Sequence, residues 1–167
     1  MELNRLVESI FECWDDSGKV VSFGNGGSAS DSLHFTTELV ARMKDEPIQQ
    51  PAISLNANPS NLTAIANDWS FDRVFSKQVK AVCNRNDLLL GISTSGNSEN
   101  VCRALKVGQT MGTTNFGLTN QNGGTLSTMD VELIRVPAEQ TSHVQEAHIA
   151  CLHYVCSEID RRLNGPQ

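Results

Sequence analysis

The feature that most limits how this 167-residue chain can fold is a β-rich run at residues 19–23 that passes directly into Gly24-Asn25-Gly26-Gly27-Ser28 and then into a helical pattern reaching Val40. A strand, a glycine turn and a helix start together present free backbone N–H groups and the positive end of a helix dipole to an anion. The loop therefore reads as a phosphate site. It is not a P-loop, because Ser28-Ala29-Ser30-Asp31 follows the glycines where Lys and Ser or Thr would be needed. Gly24, Gly26 and Ala29 fit the dinucleotide pattern, but the next apolar run, 51–55, ends in Asn56-Ala57-Asn58 without the acid that would hold a ribose, which argues against a nicotinamide or flavin.

A second loop points to the same ligand. The apolar run 88–92 leads into Ser93-Thr94-Ser95-Gly96-Asn97-Ser98, with a helical pattern from Glu99. Four hydroxyl side chains in six residues can ring a phosphate without a fixed cation; alone, such a loop is as readily a serine-rich turn with a helix cap. Between and beyond the loops, short apolar runs alternate with helical patterns: a helix from Leu3 to Trp14 stopped near Gly18, strands at 51–55, 113–118 and 131–136, and helices around 62–65, from Phe71 to Val82, after Glu99 and from Thr141 onward. On the second helix, Leu33, Phe35, Leu39, Val40 and Met43 form the apolar side. On the last, Val144, Ala147, Cys151, Val155 and Ile159 form one stripe, and Ile149, Leu152 and Cys156 extend it around the circumference. The alternation predicts an α/β fold, a single doubly wound, flavodoxin-like five-stranded parallel sheet with helices on both faces, binding ligands beyond the strands' carboxyl ends. A helix as widely apolar as the last one predicts self-association.

No composition break divides residues 1–167, so one domain is expected. The net charge of −6 leaves no electrostatic footprint for nucleic acid or an acidic membrane. No run approaches membrane-spanning length, no signal peptide is evident, and five dispersed cysteines without a C-x-x-C pair read as reduced thiols in a cytoplasmic protein.

Helical spacing sets His34 and Glu38 on one face, with Cβ atoms about 6 Å apart, as two ligands of one metal or as an ordinary surface pair. From about Leu6 to about Leu163 the chain resembles the sugar isomerase (SIS) family, in its phosphoheptose isomerase branch. The resemblance rests on Gly24 to Ser28, His34-Phe35 with Glu38-Leu39, Leu62-Thr63-Ala64 with Asn67-Asp68, Gly91 to Ser98, and Gln145-Glu146-Ala147-His148-Ile149 with His153. It implies a zinc ion held by His34, Glu38, Gln145 and His153, proton transfer by Glu38 and His153, and phosphosugar binding by Asn25, Gly26, Gly27, Ser28, Asp68, Ser93, Thr94, Ser95, Ser98 and Gln145.

Asp68 reads equally as a helix stop, and His148 is the rival metal ligand. His143 stands where the family usually has arginine, and Asn58 replaces a usual aspartate. One N-terminal helix of the family is expected to be missing here. Gln145 and His153 lie about 12 Å apart along a straight helix, so the complete site is expected to draw on more than one subunit.

The activity implied is isomerisation of sedoheptulose 7-phosphate to D-glycero-D-manno-heptose 7-phosphate for bacterial surface polysaccharide, by a homotetramer. A non-catalytic phosphosugar sensor or replication-associated scaffold is the alternative, and an isomerase of a shorter phosphosugar a third. Scaffold relatives lack the residues matching Glu38 and His153, so their presence here favours the enzyme.

Overall fold

The structure, a computed structural model, describes residues 2–41 and 50–165. In chain order the elements are α1 (Glu2–Asp15), β1 (Val20–Gly24), α2 (Gly27–Val40), β2 (Ala52–Ser54), α3 (Pro59–Asp68), α4 (Val74–Val82), β3 (Leu88–Ile92), α5 (Glu99–Met111), β4 (Thr114–Asn120), β5 (Glu132–Val136) and α6 (Thr141–Asn164). Short 3-10 turns occupy Phe71–Arg73 and Gly124–Thr128. The five strands are all parallel in the order β2-β1-β3-β4-β5, as the alternation predicts. The order reverses between β1 and β3, and the glycine loop and the serine loop both leave the sheet there.

The two central strands β1 and β3 are buried along their whole length because both faces are covered. Val20 of β1 and Leu88, Leu90 and Ile92 of β3 face a core shared with α1, α2 and α6. Val21, Phe23 and Leu89, one residue out of phase, face the core shared with α4 and α5. Gly91 interrupts β3 because a Cβ there would stand 2.8 Å from Val101 and 2.9 Å from Leu105, so its absence lets α5 lie close to the strand. Ser22 is the polar exception on β1. Its hydroxyl pairs with Ser32 at 2.7 Å, and Ser32 pairs with Ser54 at 2.7 Å, a fully buried chain that pins α2 to two strands.

Two apolar faces differ from the sequence reading. Leu33 and Val40 are 40% and 42% exposed on α2, where only Phe35 and Leu39 of the expected set are buried; Met43 lies outside the described residues. On α6 the buried stripe is Val144, His148, Leu152, Val155 and Ile159, whereas Ala147 and Cys151 are half-buried. The two stripes share Val144, Val155 and Ile159 and differ by one residue's rotation between them, where hydropathy favoured Ala147 over His148.

The outer strands are modest. β2 has three residues and follows Pro51, and β5 exposes Glu132 and Arg135 while burying Ile134 and Val136. Among the described residues no helix is long and apolar enough to cross a membrane.

Candidate active site

The loop after β1 is held from outside. Asn56, just beyond β2, accepts from the Gly24 N–H at 3.2 Å and donates to the Gly24 carbonyl at 3.0 Å. Gly26 then takes φ 56°, a left-handed value open to glycine at little cost. The Ser28 N–H is spent on the Asn25 carbonyl at 3.0 Å. The Gly26 and Gly27 N–H groups have no described partner and face the start of α2, where an anion is favoured.

The loop after β3 is built from its own hydroxyls. Ser93 and Ser98 pair at 2.9 Å, and Ser95 accepts from the Asn97 N–H at 3.1 Å. Asn97 in turn accepts from Thr125 N–H at 2.8 Å and from its hydroxyl at 2.9 Å, seating the loop on the Gly124–Thr128 turn. Asn25 and Asn100 exchange hydrogen bonds between the two loops at 2.8 and 2.9 Å.

α2 and α6 supply the third part. His34 and His153, 119 residues apart, bring their Nε2 atoms to 2.8 Å, with the rings 5.0 Å apart and inclined at 71°. One Nε2 carries the proton and the other accepts it. Glu38 stands one turn on, its Oε1 3.8 Å from His34 Nε2. His34, Glu38 and His153 are thus gathered within one protomer.

Gln145 is not with them. Its amide lies over Gly27, where any Cβ would overlap it, seven residues or about 10 Å before His34 along α2. Asp68 is exposed at the end of α3, bonded to Asn67 at 2.9 Å, and among the described residues no hydrogen bond ties it to the loops. Asn58, in place of the family's aspartate, caps α3 by accepting from Asn61 N–H at 3.1 Å.

Among the described residues no three His, Cys, Asp or Glu side chains converge as a finished metal cage. The donor chemistry nevertheless suits zinc: two imidazoles and a carboxylate leave one position open, and two nitrogens on one tetrahedral zinc stand about 3.3 Å apart, close to the spacing of this pair. His148, the rival ligand, is 0% exposed under β4, away from that pair. Burial lowers its imidazole to about 4, opposed by the Thr119 backbone beside the ring, and among the described residues no hydrogen bond of good geometry reaches either ring nitrogen.

Burial also raises the Asp31 carboxyl, opposed by His34 three residues on, and one buried Asp31 oxygen has no hydrogen-bond partner among the described residues. Sequence reasoning passed over Asp31, Asn56 and Asn100. Asn56 could have been found, since it follows an apolar run and so sits at the same carboxyl edge as the two loops. Nothing local marks Asn100.

Residues 1–120 match the SIS domain family. A phosphoheptose isomerase of Aliarcobacter butzleri is 46% identical over 163 residues, 97% of this chain and 86% of that one. One from Trichlorobacter lovleyi is 44% identical over 162 residues, 96% and 82% of the two chains. Among solved structures, phosphoheptose isomerase GmhA from Neisseria gonorrhoeae superposes with a TM-score of 0.89 at 40% identity, covering 95% of this chain and 85% of that one. The fold agrees with that likeness.

Proposed function

The chain belongs to the SIS domain family, and on that premise we propose that it is a phosphoheptose isomerase, interconverting sedoheptulose 7-phosphate and D-glycero-D-manno-heptose 7-phosphate. The observation that carries the reading is the meeting of His34, Glu38 and His153 on one side of the two anion-ready loops. Ser28 lies six residues, about 9 Å, before His34 on α2. That is of the order of an extended seven-carbon sugar, so a phosphate at the loops places the carbonyl end near the imidazoles.

The Gly26 and Gly27 N–H groups and the hydroxyls of Ser28, Ser93, Thr94, Ser95 and Ser98 hold the phosphate and so orient the reacting carbons. Glu38 and His153 then move protons. One removes a proton from C1 as the C2 carbonyl oxygen gains one, giving the enediol; a proton delivered to C2, with loss of the O1 proton, gives the aldose. Zinc, held by His34, Glu38 and His153 with Gln145 supplied by a second subunit, would polarise the carbonyl. Because Gln145 and Asp68 stand apart from the histidine pair in one protomer, the complete site forms between subunits of a homo-oligomer, a tetramer, in the cytoplasm. Its product feeds heptose synthesis for bacterial surface polysaccharide.

The test is NMR of sedoheptulose 7-phosphate in D₂O with protein, zinc or chelator, and Glu38→Gln. Aldose signals that vanish in the variant and with chelator support the reading. A metal-loaded protein that binds the sugar yet yields neither aldose nor deuterium incorporation overturns it in favour of a sensor or scaffold.

A further inference from the structure

Asn25 and Asn100 lie 75 residues apart, one in the loop after β1 and the other in the first turn of α5. Asn25 Nδ2 donates to Asn100 Oδ1 at 2.8 Å and Asn100 Nδ2 donates back to Asn25 Oδ1 at 2.9 Å. Two carboxamides joined edge to edge form a closed ring, which fixes both distance and rotation where a single bond fixes only distance. Asn100 is 3% exposed, so its amide has given up water for this one partner, a commitment that is costly if the partner is lost. Among the described residues no other side-chain hydrogen bond joins the two loops. Each loop is otherwise braced on its own side, the first by Asn56 and the second by Thr125, by the Leu126 N–H on the Gly96 carbonyl at 3.0 Å and by the Ser93 N–H on the Leu118 carbonyl at 3.0 Å. The ring spans β1 and β3, the point where strand order reverses and the crevice opens.

We propose that Asn100 is a positioning residue whose reciprocal amide pair with Asn25 sets the spacing of the two loops, and with it the phosphate affinity of the site. This rests on reading the loops as the phosphate clamp. The pair acts on the end of the substrate that does not react, so it governs binding of ground state and transition state alike and shows in KM rather than in kcat.

The experiment is a double-mutant cycle of Asn25→Leu, Asn100→Leu and the double variant, with Asn100→Ser as a smaller break of the same ring. Phosphate affinity is measured by calorimetry with inorganic phosphate, turnover with sedoheptulose 7-phosphate, and folding by thermal melting. Each single variant is expected to weaken phosphate and raise KM about tenfold, the scale of losing a buried amide pair, with kcat changed less than about threefold. Because the two residues act as a unit, the double variant is expected to lose about the same tenfold. A double variant near a hundredfold, a folded Asn100→Leu or Asn100→Ser with unchanged phosphate affinity, or a fall in kcat at constant KM would overturn the proposal. Wild-type turnover tests the isomerase reading separately, and if it were absent, additivity in phosphate affinity alone would still overturn the clasp.

Discussion

His148 makes stability depend on pH in a way that one substitution can expose. The imidazole is 0% exposed on the inner side of α6, and burial, the dominant cause, lowers it to about 4. In the unfolded chain the same ring takes up a proton near the ordinary value of about 6.5. Between these values the unfolded state binds the proton and the folded state does not, so stability falls as pH falls through that window and is unaffected above it. At about 1.4 kcal/mol per pH unit the gap is worth about 3 kcal/mol. His148→Leu removes the titrating group and two nitrogens that no hydrogen bond of good geometry reaches among the described residues. It should therefore leave the protein at least as stable as the parent at pH 7.5, since replacing a buried polar group that lacks good partners by an apolar one of similar size is neutral to stabilising. Urea unfolding at half-unit steps from pH 7.5 to 4.5, at fixed protein concentration, should show the parent losing most of that 3 kcal/mol relative to the variant. Parallel stability curves would refute the argument and place the ring within reach of water.

Gly27→Ala should leave the melting temperature nearly unchanged, because the new Cβ meets only the mobile end of Gln145. It should cut kcat/KM by tenfold or more by displacing that amide, and Gly27→Ala with Gln145→Ala should be no worse than Gln145→Ala alone. Asp87→Ala should destabilise by about 3–5 kcal/mol in urea, since the buried carboxylate accepts from Lys19 Nζ at 2.7 Å, Lys19 N–H at 3.0 Å and Asn84 N–H at 2.8 Å. Lys19→Met should cost less, as both backbone donors remain. On the zinc site proposed above, His34→Ala and His153→Ala should each bind less zinc by elemental analysis, while retaining inorganic phosphate affinity at the separate loops.

The doubly wound sheet was legible because the strands read as short runs rich in apolar residues set off by turn residues such as Gly18, Gly112 and Pro137, and the helices by spacing. Both anion loops were legible for the same reason: their chemistry is contiguous. His34 with Glu38 could be paired from spacing, but bringing His153 to His34 needed α6 to be laid along α2, which periodicity does not specify. The α6 stripe was misread because a buried histidine carries the hydropathy of a surface residue. Asn100 was invisible for a related reason, since its partner is 75 residues away and its neighbours look like any helix start.

The two outermost strands constrain how copies of the chain can meet. An unpaired sheet edge is a template for adding strands from another molecule, and natural sheets blunt it with short strands, proline and charge. β2 offers three residues behind Pro51, and β5 turns Glu132 and Arg135 outward, with Glu132 further held by Arg5 at 3.5 Å. The sheet is closed to growth at both margins. Any association between copies is left to helix surfaces such as the exposed Leu33 and Val40, apart from the sheet's edges.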